Sequence, residues 1–423
     1  MPTEAQLTKM IESLVTTMPF FMCLYWTCVL ALEWRRKGDV LLRWLLWFML
    51  ACTILYFGHC VFFNRYMSTV PMSDILYVTC NLLVFPLYYM YVKGLTVPYF
   101  LSDRRRQKSS AIKLTMPALL IGVSIGVLYM CMGKAETDHF IEEYLYNNRL
   151  STLQGKELAL GIVHHVGKGL FMLEVVLLLV FGLQFIRRYN KMVDDNYADV
   201  EDKKLHRVQF ALILFVLAAV LSFVSNILGR YRFTDSIVAL ATASFLFTTL
   251  IFLLGYVGLV QEFSVRDIEN DCANDSDFKE KGAEENSSNE ETTELKQQEQ
   301  DEKNNDSIEK NTSREQMRWL GERISNLMEE EQVYLQHDLR IIDLAYRLNT
   351  NRTYIQRAIL EIRKCSFSEY INQLRIDYAD RLLEEHPEYA ITEIAERSGY
   401  TSLSTFYRNY RSIRGRTPKA KQE

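Results

Sequence analysis

Seven apolar stretches of membrane length fill the first 260 residues of this 423-residue chain, and they constrain its fold more than any other feature. Each stretch has roughly 18–24 residues, and at a rise of ~1.5 Å per residue such a helix crosses a ~30 Å hydrocarbon core. A soluble helical core seldom contains so many. The stretches are Leu14–Leu32, Trp44–Phe63, Ile75–Val92, Leu114–Met132, Ile162–Phe185, Val208–Leu228 and Ile237–Leu259. The sequence therefore predicts an all-α chain whose residues 1–263 form a seven-helix transmembrane bundle in a lipid bilayer.

Charges in the connecting loops predict the orientation of this bundle. Loops 33–43, 93–113 and 187–207 contain clusters of Lys and Arg, whereas the loops between them contain few. Basic loops stay on the cytoplasmic side of a membrane. Seven spans then place the N-terminus outside and the C-terminus in the cytoplasm of a multi-pass protein of the inner, cytoplasmic membrane. Glu4 and Glu12 stand where a cleaved signal peptide would be basic, so none is expected.

Three ionisable residues lie within the fifth apolar stretch, namely His164, Lys168 and Glu174. Such groups are costly inside a bilayer and are often functional. His164 and Lys168 share one helix face because they are four residues apart. Two interpretations remain: Lys168 pairs with an acid such as Glu174 or Glu12 inside the bundle, or these residues sense an unknown small-molecule or envelope signal.

The eight cysteines form no CxxC pair and no metal-ligand spacing with histidine. We interpret most of them as small apolar residues in or beside the spans. We expect no structural metal, no cofactor and no catalytic residue, and therefore no enzyme activity.

An abrupt change of composition follows the last span. Residues 266–313 contain 16 acidic and 6 basic residues and few apolar ones. Such a segment cannot bury enough apolar surface to offset the entropy of ordering. Residues 264–313 are therefore predicted to be a disordered acidic linker, and residues 314–423 a further domain.

The C-terminal domain begins with a helical stripe of Met317, Leu320, Ile324 and Leu327. The stripe is expected to pack on the domain that follows it. The alternative is a short coiled coil with a second copy of the chain.

One pattern then occurs twice, from Asp343 and again from Glu393. Each copy predicts a short helix with a small alanine, a turn, a polar N-cap and a second helix. The predicted N-caps are Asn351 and Thr401, and the second copy contains one inserted residue. The matching positions are Leu344-Ala345 with Ile394-Ala395, Ile355 with Phe406, Ile359 with Tyr410, and Phe367 with Pro418.

From about Leu339 to Lys419 the chain resembles the DNA-binding domain of AraC/XylS-type transcriptional regulators. The residues that carry the resemblance are Asp343-Leu344-Ala345, Phe367, Glu369-Tyr370-Ile371-Asn372, Arg375, Ala379, Leu382-Leu383, Glu393-Ile394-Ala395, Gly399-Tyr400, Gly415 and Thr417-Pro418. The resemblance implies a double helix-turn-helix domain joined by a long helix. It also implies that the partners are double-stranded promoter DNA and RNA polymerase, and that the protein binds as a homodimer.

In such motifs the second helix enters the major groove with its N-terminal residues on base edges. The expected DNA-binding residues are Asn351, Arg352, Thr353, Gln356 and Arg357 in the first unit, and Thr401, Ser402, Leu403, Ser404, Tyr407, Arg408 and Arg411 in the second. For an exposed Arg, a phosphate contact and a base contact are both open interpretations.

Two residues depart from the family pattern. Lys364 stands where a helix-ending glycine is usual, and at a left-handed position it would cost about 1 kcal/mol. Arg340 stands at a usual Ser/Thr cap, where Asp338 is the alternative cap.

The favoured function is a membrane-anchored DNA-binding transcriptional regulator whose bundle senses a signal. The alternative is a transporter or membrane-enzyme bundle fused to a regulatory DNA-binding domain. A third interpretation, non-specific anchoring of DNA, does not account for the duplicated pattern.

Overall fold

A computed structural model describes residues 4–64, 67–228, 237–271 and 305–418, and nearly all of them are helical. Within these ranges there is no strand, and Tyr197 and Arg340 form an isolated antiparallel bridge. The all-α prediction is confirmed. The chain divides into two compact units, residues 1–188 with 205–266, and residues 189–204 with 267–423.

Among the described residues of the first unit, seven helices are long and apolar enough to cross a membrane. Six of the predicted stretches lie inside one of these helices, and Leu114–Met132 ends one residue beyond the helix that contains the rest of it. The helices are longer than the stretches because their backbone hydrogen bonds continue into the polar residues on either side. They are Glu4–Lys37, Val40–Phe63, Val70–Thr96, Arg104–Cys131, Gly155–Asn196, His206–Leu228 and Ile237–Val260.

Close packing holds this bundle together, and apolar side chains cover its outside. A Cβ on Gly255 would lie 2.3 Å from the Trp26 ring, so only glycine lets the first and last helices approach so closely. Met130 and Phe245, by contrast, expose 88% and 70% of their surface. A continuous apolar exterior of this kind suits hydrocarbon rather than water.

Between residues 305 and 418, the second unit contains six α-helices and a 3-10 turn at Val333–Leu335. The two short helices are Ile341–Arg347 and Ile391–Arg397. The N-terminal helix is Asn305–Glu330, the first recognition helix Arg352–Arg363, the connecting helix Phe367–Glu385, and the second recognition helix Leu403–Arg414. Residues 272–304 of the predicted acidic linker lie outside the described residues, and the N-terminal helix begins within the remainder of it.

Two apolar cores stabilise the second unit. Met317 and Ile324 of the N-terminal helix are buried against Leu344 and Ile359 in the first core. The stripe therefore packs on its own domain, as expected. The second core contains Ile394, Phe406 and Tyr410. The connecting helix contributes Ile371 to the first core and Ile376 and Ala379 to the second, so it joins the two helix-turn-helix units.

Candidate nucleic-acid interface and bundle cavity

The first helix-turn-helix unit is formed by Ile341–Arg347 and the first recognition helix. Asn349 has a φ of 48°, which reverses the chain between the two helices. Asn351 then caps the recognition helix, and its Oδ1 accepts a hydrogen bond of 3.1 Å from the Tyr354 backbone N–H. Ile355 and Ile359 are buried, so the opposite face of the helix is directed to solvent. The predicted Asn351 cap is confirmed.

The second helix-turn-helix unit repeats this arrangement with different residues. Gly399 turns the chain with a φ of 85°, and a Cβ there would lie 2.8 Å from the Leu335 carbonyl oxygen. The N-cap of the second recognition helix is Ser402 in extended conformation, so the prediction of Thr401 is wrong by one residue. The inserted residue lengthens this turn, and Ser402 is the structural equivalent of Asn351.

The two departures from the family pattern have distinct outcomes. Lys364 adopts the left-handed conformation, with a φ of 56°, at the end of the first recognition helix. Gly415 does the same in the second, with a φ of 71°. The N-cap of Ile341–Arg347 is Arg340, so the alternative cap Asp338 is wrong. The backbone N–H of Arg340 donates to Asp343 at 2.7 Å.

The connecting helix fixes the second recognition helix through Asp380. The Tyr410 hydroxyl donates to Asp380 at 2.5 Å and Arg414 Nε donates to it at 2.6 Å. Burial, followed by this hydrogen bond, raises the pKa of Tyr410 to about 12. Hydrogen bonds to Asp377 and Asp380 raise the pKa of Arg414. Both side chains therefore stay protonated and position the helix.

The expected DNA-binding residues lie on the outer faces of the two recognition helices or in the one or two residues that precede each helix. The exposed ones are Asn351, Thr353, Arg357, Thr401, Leu403, Ser404, Arg408 and Arg411, and the half-buried ones are Arg352, Gln356, Ser402 and Tyr407. Arginine, glutamine and hydroxyl side chains are the donors that contact bases and phosphates in major grooves. The geometry therefore provides two polar surfaces on one domain.

Residues of the segment 194–202, which we call the acidic segment, contact both surfaces. Glu201 accepts a hydrogen bond of 2.6 Å from Thr405 and pairs with Arg408. Asn196 Oδ1 accepts from Arg352 at 3.2 Å. The Asp195 carboxylate accepts a hydrogen bond from Gln356.

Sequence reasoning missed this segment and the residues that hold it. Loop 187–207 was interpreted through its basic residues alone. Yet it contains five acidic ones, which are Asp194, Asp195, Asp199, Glu201 and Asp202. Their density in nine residues was the available signal. Thr405 was also missed as a surface residue of the second recognition helix.

The polar residues of the bundle form a second candidate site. His164 Nε2 lies 2.9 Å from Asp74 Oδ2, and the Tyr129 hydroxyl donates to the same oxygen at 3.0 Å. Lys168 Nζ lies 5.4 Å from the centre of the Tyr144 ring. Asp74 was missed because the predicted span began one residue after it.

His164 and Lys168 line one cavity of about 100 Å³, together with aromatic residues such as Tyr77 and Phe171. Glu174 is not among the lining residues, and its Oε2 is buried with no hydrogen-bond partner in the described part of the chain. Pairing of Lys168 with an acid such as Glu174 or Glu12 stays a prediction, whereas His164 is paired with Asp74.

The described residues contain no cluster of three or more metal-ligating side chains. Their seven cysteines are all free thiols, and Cys272 lies outside the described residues.

Comparisons with known proteins address the C-terminal domain. Residues 344–423 match the family described as a helix-turn-helix domain. Over 80 residues the chain is 31% identical to the Msm operon regulatory protein of Streptococcus mutans serotype c (strain ATCC 700610 / UA159). The match covers 19% of this chain and 28% of that protein, so the chain spans under a third of this relative's length. No solved structure matches the chain. The C-terminal domain is accordingly a helix-turn-helix domain of the AraC type.

Proposed function

We propose that the chain is a membrane-anchored transcriptional regulator that binds specific sequences in double-stranded promoter DNA. One observation carries the proposal, namely the pair of equivalent recognition helices held on a single connecting helix. Each presents exposed polar residues, among them Arg357 and Arg408 at equivalent positions. A relative named as an operon regulatory protein supports this function. RNA polymerase and a second copy of the chain are the proposed protein partners.

Selection of DNA from a random library tests this function directly. The full-length protein in lipid nanodiscs is incubated with random duplexes, and bound duplexes are amplified and sequenced. We expect an enriched motif with two conserved elements about one helical turn, or ~34 Å, apart. The Arg357→Ala, Arg408→Ala double variant is the control and should lose the enrichment. Equal recovery of all sequences would reject specific binding.

We further propose that the N-terminus is outside and the C-terminal domain in the cytoplasm. The basic loops support this orientation. The number of spans also agrees with the division of the chain, because residues 189–204 belong to the same compact unit as the C-terminal domain. The two must share one side of the membrane, which requires an even number of crossings between them. The helices His206–Leu228 and Ile237–Val260 supply two.

Reporter fusions test the orientation. A reporter that is active only in the cytoplasm should work when fused after residue 270 and fail when inserted within 133–157. An externally active reporter should give the opposite pattern. Reversed activities would overturn the orientation and remove the DNA-binding domain from its DNA.

The sensing role that we propose for the bundle rests on its cavity. The described lining residues include His164 and Lys168 but no acidic side chain, and they include five phenyl or phenol rings. Such a lining fits a small organic anion with an apolar or aromatic body, because the cation offsets the cost of removing its charge from water.

Thermal stability of the protein in nanodiscs, measured against a panel of aliphatic and aromatic carboxylates, tests this site. A ligand of the cavity should raise the melting temperature of the wild type. The shift should disappear in Lys168→Met and persist in the control Lys156→Met, whose lysine is not among the lining residues. Accumulation of the same anion inside vesicles would instead identify a transporter.

A further inference from the structure

The acidic segment occupies both recognition surfaces and is held by its own set of contacts. It contains five carboxylates within nine residues, and it belongs to the same compact unit as the helix-turn-helix domain. Contacts at three places show how it is bound, namely at the second recognition helix, at the first, and at the connecting helix.

On the second recognition helix, Glu201 uses both carboxylate oxygens. Oε2 accepts from the Thr405 hydroxyl and Oε1 pairs with Arg408. Arg408 is one of the residues expected to contact DNA. A carboxylate on this guanidinium takes the place that a phosphate oxygen or a guanine acceptor would take.

On the first recognition helix, the segment occupies two further donors. The Asp195 carboxylate accepts from Gln356, and Asn196 Oδ1 accepts from Arg352 at 3.2 Å. Both donors are in the set expected to contact DNA, so contacts with the segment and with DNA exclude one another at both helices.

Between the two helices, the segment is anchored to the connecting helix. Ala198 is 1% exposed within the first core, and its carbonyl oxygen accepts from Ser368 and Asn372, each at 3.1 Å. Asp199 accepts from Arg375 Nη1 at 3.0 Å, and Arg375 is fully buried. A buried arginine needs such a partner, so this contact is a specific part of the domain rather than a surface encounter.

The other charges of the segment are directed elsewhere. Asp194 pairs with Lys204 at 2.7 Å, and Lys203 lies 3.9 Å from Asp338. Asp202 is exposed. Lys203 and Lys204 therefore pair with residues other than Asp195 and Glu201, which contact the recognition helices.

We propose that the acidic segment is an intramolecular competitor of DNA that keeps the protein in a state unable to bind its promoter. The proposal rests on the proposed function, since it requires that these two helices bind DNA. The segment begins in the last turn of the helix Gly155–Asn196, which contributes His164 and Lys168 to the bundle cavity. Release of the segment is the switch that a signal at the bundle would operate.

The test compares three full-length proteins in nanodiscs: wild type, Glu201→Ala and the matched control Asp202→Ala. The probe is a fluorescent duplex carrying the sequence enriched by any of these proteins in the library selection described above. Glu201→Ala should bind it about tenfold more tightly, as expected if the competent state is roughly a tenth of the wild-type population. Asp202→Ala removes the same charge from the same segment and should stay within about twofold of wild type.

Ala198→Trp is a second variant that removes the contact without changing charge. The larger side chain cannot enter the buried site, so the segment should detach and DNA binding should strengthen as in Glu201→Ala. Hydrogen exchange should rise at residues 194–202 in this variant, while amides of the recognition helices remain protected.

The possible results separate the inference from the function. If wild type and all variants bind the duplex equally well, the competitor is rejected and the DNA-binding function stands. If Asp202→Ala strengthens binding as much as Glu201→Ala, bulk charge accounts for the effect and the competitor is again rejected. If no variant enriches or binds any duplex, the proposed function fails, and the inference fails with it.

Discussion

The two helix-turn-helix units carry recognition helices of the same length but secure them with different residues. The first is capped by the Asn351 side chain and ends at Lys364, a non-glycine residue with a φ of 56°. The second has Ser402 at its N-cap without a capping hydrogen bond to the backbone, and it ends at Gly415 with a φ of 71°. Each unit thus has one favourable helix end and one weaker one, at opposite ends.

Capping residues and C-terminal glycines are therefore not what stabilises these two helix-turn-helix units. Both helices form because their inner faces are buried, Ile355 and Ile359 in one, Phe406 and Tyr410 in the other. Both cores also include residues of the connecting helix. Packing on the connecting helix therefore compensates for the missing capping hydrogen bond in the second unit and the missing glycine in the first. Burying such side chains contributes about 1.5–3 kcal/mol each.

The largest loss of stability is expected for Arg375→Ala, which changes the connecting helix that both helix-turn-helix units share. Arg375 donates to the carbonyls of Tyr334 and Gln336, each at 2.7 Å, and its guanidinium lies against the Tyr400 ring. Removing it leaves buried acceptors unpaired, so we expect a loss of about 3–5 kcal/mol. Hydrogen exchange of the full-length protein should show faster exchange in both units.

The control is Arg381→Ala, which removes an exposed arginine of the same connecting helix. It should cost under about 1 kcal/mol, as for other exposed charges. If amide hydrogens of the Arg375→Ala variant exchange faster in only one helix-turn-helix unit, the two units are independent in stability.

The second effect concerns DNA and compares Arg357 with Arg408. If each binds a guanine, Arg357→Ala should weaken binding by about 1–3 kcal/mol and relax the preference at one base pair. Arg408→Ala should cost less, because it also removes the partner of Glu201. In the Glu201→Ala background the two losses should become equal.

Binding to single-base-pair variants of the selected duplex at several salt concentrations measures both effects. Uniform weakening on all duplexes, with the salt slope reduced by about one, would mean that the arginines contact phosphates. Base recognition would then be assigned to Gln356 and Ser404.

The third effect exchanges the helix ends. Lys364→Gly relieves a left-handed backbone at a residue with a Cβ and should stabilise the domain by about 1 kcal/mol. Gly415→Ala introduces the same strain in the second unit and should destabilise it by about as much. Chemical denaturation, monitored by hydrogen exchange, measures the change in stability of both variants. Changes of the same sign would contradict the assignment of the two positions as equivalent.

The smallest effect concerns the caps. Asn351→Ala removes the hydrogen bond to Tyr354 and should cost about 1 kcal/mol of helix stability. Ser402→Ala should cost only a few tenths, because its hydroxyl contacts Ser404 rather than the backbone. Amide protection in the first turn of each recognition helix distinguishes them, and equal losses would contradict the difference between the caps.

Patterns that repeat along the chain were predictable from sequence. Seven apolar stretches and one duplicated motif each specify local structure, because period and length alone determine a span or a helix pair. The N-cap at Ser402 was missed by one residue since an insertion shifts a turn without changing the pattern around it.

Contacts between distant residues were not predictable in the same way. Asp74 and His164 are polar residues whose pairing depends on how two spans are rotated. Glu201 and Arg408 are 207 positions apart, and no periodicity connects them. Charge density in the acidic segment indicated an interaction, but its target followed only from the fold.

The placement of Ala198 in the core of the helix-turn-helix domain has a consequence for biosynthesis. Ala198 and Ser368 are 170 positions apart, so the ribosome completes Ala198 long before the domain that encloses it. Domains form as units while the chain emerges, and contacts between distant positions form slowly. The nascent recognition helices would therefore fold onto a segment that is already present and tethered, whereas any promoter must be found by diffusion. Each newly synthesised molecule would therefore start in the state that does not bind DNA, and DNA binding would be acquired only after the acidic segment is released.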